Sequence, residues 1–296
     1  MTHELNSGRG QQNAFALLIT ALALLAVFSV PVLVIEPDRP TDIAVSDETD
    51  SALTPGSDAR RGTIPVVHEV IGRSVRGTPI ERVTIGDGPV AMLLMASIHG
   101  NEAAGTPMLL RLVRELQAAP ELVDGRCISV IPMVNPDGVS ARTRFNSNGV
   151  DLNRNFPADN RQNSKRYGLE ALSEPEALAI WSAIESIPPA HIVTLHEPLN
   201  CVDYDGPAAE LAEAMSDVCP LAVKKLGSRP GSLGSYAGVT LGIPTVTFEL
   251  PRNARDLNDD QLWALYGNAL LAAVRWSNPS QSGPLSSHAT VEQDGK

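Results

Sequence analysis

Four short apolar runs, each followed by a stretch long enough for a helix, constrain this chain more than any other feature. Residues 90–98, 127–134, 191–195 and 244–250 are rich in Val, Ile, Leu, Met and Thr and suit buried strands. Residues 102–118, 174–187, 207–218 and 258–276 read as helices, the last behind the start signal Asn258-Asp259-Asp260. Alternation of this kind predicts an α/β fold, one domain with a mostly parallel mixed sheet flanked by helices. In open α/β sheets ligands gather at the carboxyl ends of the strands. Three of the runs end there in residues able to do chemistry: His99, His196 and Glu249.

The flanks of this pattern differ in composition. Residues 14–35 run without a charge, long enough to cross a hydrocarbon core of about 30 Å. No small-x-small cleavage site follows them, so an uncleaved transmembrane anchor is expected after a short segment 1–13. Residues 36–61 read as an acidic flexible tether. Seven carboxylates in 36–60 face only Arg39 and Arg60, which places nearly half of the net charge of −11 outside the folded part. With the N-terminus inside, the catalytic domain, 62–276, is expected on the periplasmic or outer side of the cytoplasmic membrane, followed by a disordered tail, 277–296. The remaining mild acidity, without any Lys/Arg run, excludes a nucleic-acid partner. Cys127, Cys201 and Cys219 form no disulfide framework and read as free thiols, with a Cys201–Cys219 bridge as the alternative.

His99 and Glu102 lie three apart where a strand gives way to a helix. Imidazole nitrogen and carboxylate oxygen both suit Zn²⁺, and a catalytic zinc takes three protein ligands and keeps a position open. His196 is the candidate third ligand. A His three residues before a Glu is common by chance, so the pair alone carries little.

Several separated segments, in order, resemble the zinc carboxypeptidase family. They are Ile71-Gly72-Arg73-Ser74 with Gly77-Thr78-Pro79-Ile80, then His99-Gly100-Asn101-Glu102, Asn135-Pro136-Asp137-Gly138, Arg144, Gly149-Val150-Asp151-Leu152-Asn153-Arg154-Asn155-Phe156, His196, and Thr247-Phe248-Glu249-Leu250-Pro251. The resemblance spans about residues 64–276 and implies a carboxypeptidase-like domain. It implies one Zn²⁺ on His99, Glu102 and His196, with Glu249 as the catalytic carboxylate. It also implies Arg144 as oxyanion stabiliser, with Arg142 as the alternative, and Asn153 and Arg154 as the grip on a substrate carboxylate. Asp137, Asp151 and Asn155 are expected to shape loops or support the ligands.

Within the family the wording looks closest to the bacterial murein peptide amidase A branch, which cuts between γ-D-glutamate and meso-diaminopimelate in cell-wall peptides. On that reading Asp203 or Asp205 contacts the diaminopimelate amino group and Tyr236 lines the pocket. Two other readings are carried forward: an aspartoacylase or succinylglutamate desuccinylase, and a non-catalytic wall-binding module.

Overall fold

The apolar runs become the middle of a seven-stranded sheet in the computed structural model, which describes residues 64–277 apart from residue 124. The strands are β1 (Val66–Arg73), β2 (Pro79–Ile85), β3 (Val90–Ala96), β4 (Cys127–Ile131), β5 (His191–His196), β6 (Leu199–Asp205) and β7 (Thr245–Pro251). They lie in the order β1-β2-β4-β3-β5-β7-β6. The pairs among β4, β3, β5 and β7 are parallel; β1–β2, β2–β4 and β6–β7 are antiparallel.

The sheet is therefore mixed in equal parts and not mostly parallel. The difference lies in three strands that the apolar pattern does not announce. β1 and β2 are joined by a tight turn at Ser74–Thr78, where Gly77 takes φ 85° and its N–H bonds to the Ser74 carbonyl. A connection that short can only reverse the chain. β6 starts three residues after β5 ends, again too soon for a crossover.

All four expected helices form, as α1 (Gly105–Ala118), α3 (Pro175–Ser186), α4 (Ala209–Ser216) and α5 (Asp259–Arg275). The start signal at Asn258 is a capping box, its side chain accepting from the Gln261 N–H while the Gln261 side chain accepts from the Asn258 N–H. One short helix was not expected, α2 (Pro136–Ala141), which begins on a proline behind the cap Asn135.

Helices cover both faces of the sheet. Met92 and Leu94 pack with Leu109 and Leu112 of α1, Leu211 of α4 and Leu270 of α5. Leu93 and Met95 point the other way and pack with Ile180 and Ile184 of α3 and with Phe156. A strand buried on both sides must be apolar at every position, which is why β3 reads as a continuous run. Each such Leu or Ile contributes about 1.5–3 kcal/mol by leaving water.

β5, β6 and β7 follow a different rule. Val193, Leu195, Val202, Val246, Phe248 and Leu250 enter the core on the α1 side. Thr194, His196, Asp203, Asp205, Thr247 and Glu249 alternate with them, so the pleat sets a polar stripe on the opposite face. That stripe is where the site lies.

Among the described residues no helix is long and apolar enough to cross a membrane. The expected anchor at 14–35, the tether at 36–61 and the tail beyond residue 277 lie outside them. Cys127, Cys201 and Cys219 are all free thiols, so the alternative bridge is not formed.

Candidate active site

Three loops at the carboxyl ends of β3, β4 and β5 converge on one point. His99 follows β3, and Gly100 behind it touches the loop that starts α2. A Cβ on Gly100 would sit 1.9 Å from the Gly138 carbonyl carbon, so only glycine lets the His99 and Asn135-Pro136-Asp137-Gly138 segments meet. Asp137 ties in the turn between β1 and β2: Ser74 Oγ donates to its Oδ1 at 2.8 Å and the Arg76 N–H to its Oδ2 at 2.9 Å. Asn155 gathers the next loop, donating to the Tyr167 and Glu170 carbonyls and accepting from the Glu174 N–H. Both act as loop-shaping residues, as the sequence suggests.

His99 Nδ1 lies 2.9 Å from Glu102 Oε2, His196 Nδ1 lies 2.8 Å from the same oxygen, and the two Nδ1 atoms are 3.2 Å apart. All three residues are buried. They are the one group among the described residues whose His, Cys, Asp or Glu donors converge closely enough to hold a metal ion. Two imidazole nitrogens and one carboxylate oxygen suit Zn²⁺, and a set of three leaves a coordination position for water or substrate. The other two described histidines stand apart. His68 is exposed on β1, and His191 is a neutral core residue, its pKa pushed down to about 4 by burial.

Asp151 braces this group. Its Oδ1 is 3.1 Å from His99 Nε2, and its Oδ2 accepts from Arg144 Nε at 2.8 Å. A carboxylate on the far nitrogen orients the imidazole and leaves Nδ1 as the nitrogen that would ligate a metal. Arg144 also donates through Nη1 to Glu102 Oε1 at 3.2 Å. Burial opposes the charged forms of Glu102 and Asp151, but hydrogen bonds from the histidines outweigh it and hold both carboxyls well below the ordinary range. At His99 burial is likewise outweighed, by hydrogen bonds to Asp151 and Glu102, and its pKa is raised.

Beside the triad opens a cleft of about 170 Å³. Glu249, paired in register with His196 across β5 and β7, reaches into it, its Oε2 accepting from the Leu199 N–H at 3.3 Å. Burial raises its pKa. Asn153 and Arg154 line one part of the cleft. The Asn153 Oδ1 accepts from the Leu233 N–H at 2.8 Å, and Arg154 is held by a hydrogen bond to the Asn153 carbonyl. Asp203 and Asp205 line another part; burial, helped by the nearby Asp205 charge, raises the Asp203 pKa against the opposing pull of backbone N–H bonds from Leu226 and Tyr204.

The expectation for Tyr236 is corrected. It lies in a π-helical turn, Gly234–Thr240, buried against Phe156 with ring centroids 6.2 Å apart, and its hydroxyl bonds to Glu185. It belongs to the core and is not part of the cleft lining. Arg142 is also set aside: left-handed at φ 51° and exposed, it borders a separate groove, whereas Arg144 faces the triad. The lining also includes Thr194, Glu197, Thr247 and Arg229, to which the sequence reading gave no role. The alternation along β5 and β7 could have flagged the two threonines. Arg229 stands in a Gly- and Ser-rich loop that carries no such signal.

A family model, zinc carboxypeptidase, matches residues 62–205. Murein peptide amidase A of Escherichia coli strain K12 is 33% identical over 240 residues, covering 74% of this chain and 93% of that protein. The chain belongs to the zinc carboxypeptidase family. It is thus a hydrolase whose cofactor is Zn²⁺, and the His99, Glu102 and His196 group is able to hold that ion. The crystal structure of murein-tripeptide amidase from Escherichia coli O157 is similar, with TM-score 0.57 and 31% identity over 76% of this chain and 98% of that one. Gamma-D-glutamyl-L-diamino acid endopeptidase 1 of Lysinibacillus sphaericus is 30% identical over 175 residues, 43% of this chain and 44% of that protein.

Proposed function

We propose that this zinc hydrolase cleaves the amide between γ-D-glutamate and meso-diaminopimelate in murein peptides. The observation that carries the reading is the charge layout of one cleft. Beside the metal-holding triad it offers the amide and guanidinium of Asn153 and Arg154 and, separately, the buried acids Asp203 and Asp205. A leaving residue that fits both has a carboxylate close to the scissile amide and an ammonium at the end of its side chain, as diaminopimelate does. The similarity to a murein peptide amidase and a gamma-D-glutamyl-L-diamino acid endopeptidase supports the same class.

When bound, Zn²⁺ supplies Lewis acidity to a water and to the scissile carbonyl. Glu249 takes the proton from the attacking water and later delivers it to the leaving amine. Its buried carboxyl, with raised proton affinity, suits both roles. Arg144, braced by Asp151, holds its fixed cation toward the oxygen on which negative charge develops. Asn153 and Arg154 bind the carboxylate that marks the residue to be released.

The deacylase reading fits the cleft less well, because the acidic side chain of N-acetylaspartate or N-succinylglutamate would face Asp203 and Asp205. One assay separates these readings. The purified protein is expected to cleave L-Ala-γ-D-Glu-meso-diaminopimelate, to lose that activity to a zinc chelator, and to leave N-acetylaspartate and N-succinylglutamate intact. Release of acetate or succinate would favour the deacylase, and no cleavage by zinc-loaded protein would favour a wall-binding module. Asp203→Asn and Asp205→Asn with unchanged kcat/KM on the tripeptide would remove the acid pair from substrate recognition.

The uncharged stretch at 14–35 supports placing this activity on the outer side of the cytoplasmic membrane. Protease added to intact spheroplasts is then expected to digest the catalytic domain; full protection would put it in the cytoplasm.

A further inference from the structure

The cleft holds a cation that these roles leave unused. Arg229 is exposed and lines the same cleft as Asp203 and Asp205. Its backbone is fixed, because its carbonyl accepts from Ser235 Oγ at 2.6 Å and from the Ser232 N–H at 3.0 Å. Among the described residues its guanidinium makes no ion pair and no hydrogen bond. Its charge reaches two neighbours, lowering the proton affinity of Asp203 and disfavouring the second cation at Arg154. An arginine so placed, planar and always charged, offers a ready fork to an incoming carboxylate.

The acids beside it have spare capacity. Asp203 Oδ1 accepts the Tyr204 and Leu226 N–H groups, and its Oδ2 has no protein donor and is not sealed from the cleft. Asp205 Oδ1 accepts from Ser228, while its Oδ2 lies 2.0 Å from where a Cβ on Gly234 would sit. Any side chain at 234 would therefore displace that carboxylate. Two acids and one unpaired guanidinium together match an ammonium and a carboxylate carried on the same carbon.

We propose that Arg229 binds the distal carboxylate of the diaminopimelate side chain while Asp203 and Asp205 take the ammonium beside it, so that the pocket selects a zwitterionic amino-acid head over a simple amine. This inference rests on the substrate reading above. A lysine in the same place presents the ammonium alone and leaves Arg229 without a partner.

The test compares three tripeptides, L-Ala-γ-D-Glu-X, in which X is meso-diaminopimelate, the same residue amidated at its distal carboxylate, or L-lysine. The native protein is expected to favour the first by about 10- to 100-fold in kcat/KM, the range of one charged hydrogen-bonding group. Arg229→Gln is expected to bring that ratio close to one, and Arg229→Lys, which keeps the charge without the fork, to give an intermediate ratio. Bound zinc measured on each variant reports that the fold is retained. A ratio that stays at its native value in Arg229→Gln, whether all three rates fall together or none does, overturns the role of Arg229. If the native protein cleaves none of the three but deacylates N-acetylaspartate, the substrate reading itself fails, and the Arg229 role falls with it.

Discussion

Glu249→Gln is expected to lower kcat on the wall tripeptide by about 10²- to 10⁴-fold, the usual contribution of a positioned general acid–base group. Bound zinc should be unchanged, because the converging donors are His99, Glu102 and His196 and do not include Glu249. The substitution keeps the size of the side chain, and the amide oxygen can still accept from the Leu199 N–H. What it removes is the ability to take a proton from water and pass it on. KM should move little, since the proposed carboxylate grip lies at Asn153 and Arg154. Kinetics together with metal analysis check this, and full activity in the variant would place the base elsewhere. Glu197 is the other carboxyl lining the cleft that is counted neither among the metal donors nor in the acid pair, but it is a poor substitute. Its Oε1 accepts the Ala104 N–H at 3.1 Å and its Oε2 accepts from Arg255 at 3.3 Å, so it ties the end of β5 to the start of α1.

The parts of this site that the sequence made legible are those set by strand ends. His99, His196 and Glu249 each close an apolar run, and β3, β5 and β7 are adjacent and parallel, so three distant positions meet with no help from long loops. The sheet edges were not legible for a related reason. β1 is mostly exposed and carries His68, Glu69 and Arg73, so it has no apolar run to read, and β6 spends alternate positions on Asp203 and Asp205. Tyr236 shares a π-helical turn with Gly234, which does line the cleft, but its ring packs into the core beside Phe156, a direction no sequence pattern announces. The resemblance put Arg144 ahead of Arg142, and the structure sets the alternative aside. Two positions apart in the chain, they face different ways: Arg144 lines the cleft of the triad, while the left-handed Arg142 borders a separate groove.

Arg144→Gln is expected to cost about 10²- to 10³-fold in kcat, the effect of removing one preorganised oxyanion donor. Its guanidinium is about a third exposed, yet its direction is set from behind. Nε donates to Asp151 Oδ2 at 2.8 Å and Nη1 to Glu102 Oε1 at 3.2 Å, which leaves Nη2 for the substrate. Asp151 in turn holds His99, so Asp151→Asn should act on two things at once. Zinc affinity should fall by about 10- to 100-fold, as for loss of a carboxylate behind a ligating imidazole, and Arg144 should lose its brace. The two substitutions share an interaction, so their effects on kcat at saturating zinc should be less than additive. In the double variant the Asp151 change should add little to the kcat loss of Arg144→Gln, while the weakened zinc binding should persist in full. A strictly additive kcat would mean that Asp151 serves the metal alone and that Arg144 is oriented by Glu102. Since Glu102 is also one of the converging donors, the cation would then be aimed by the metal site itself, and its orientation should loosen when zinc is withdrawn.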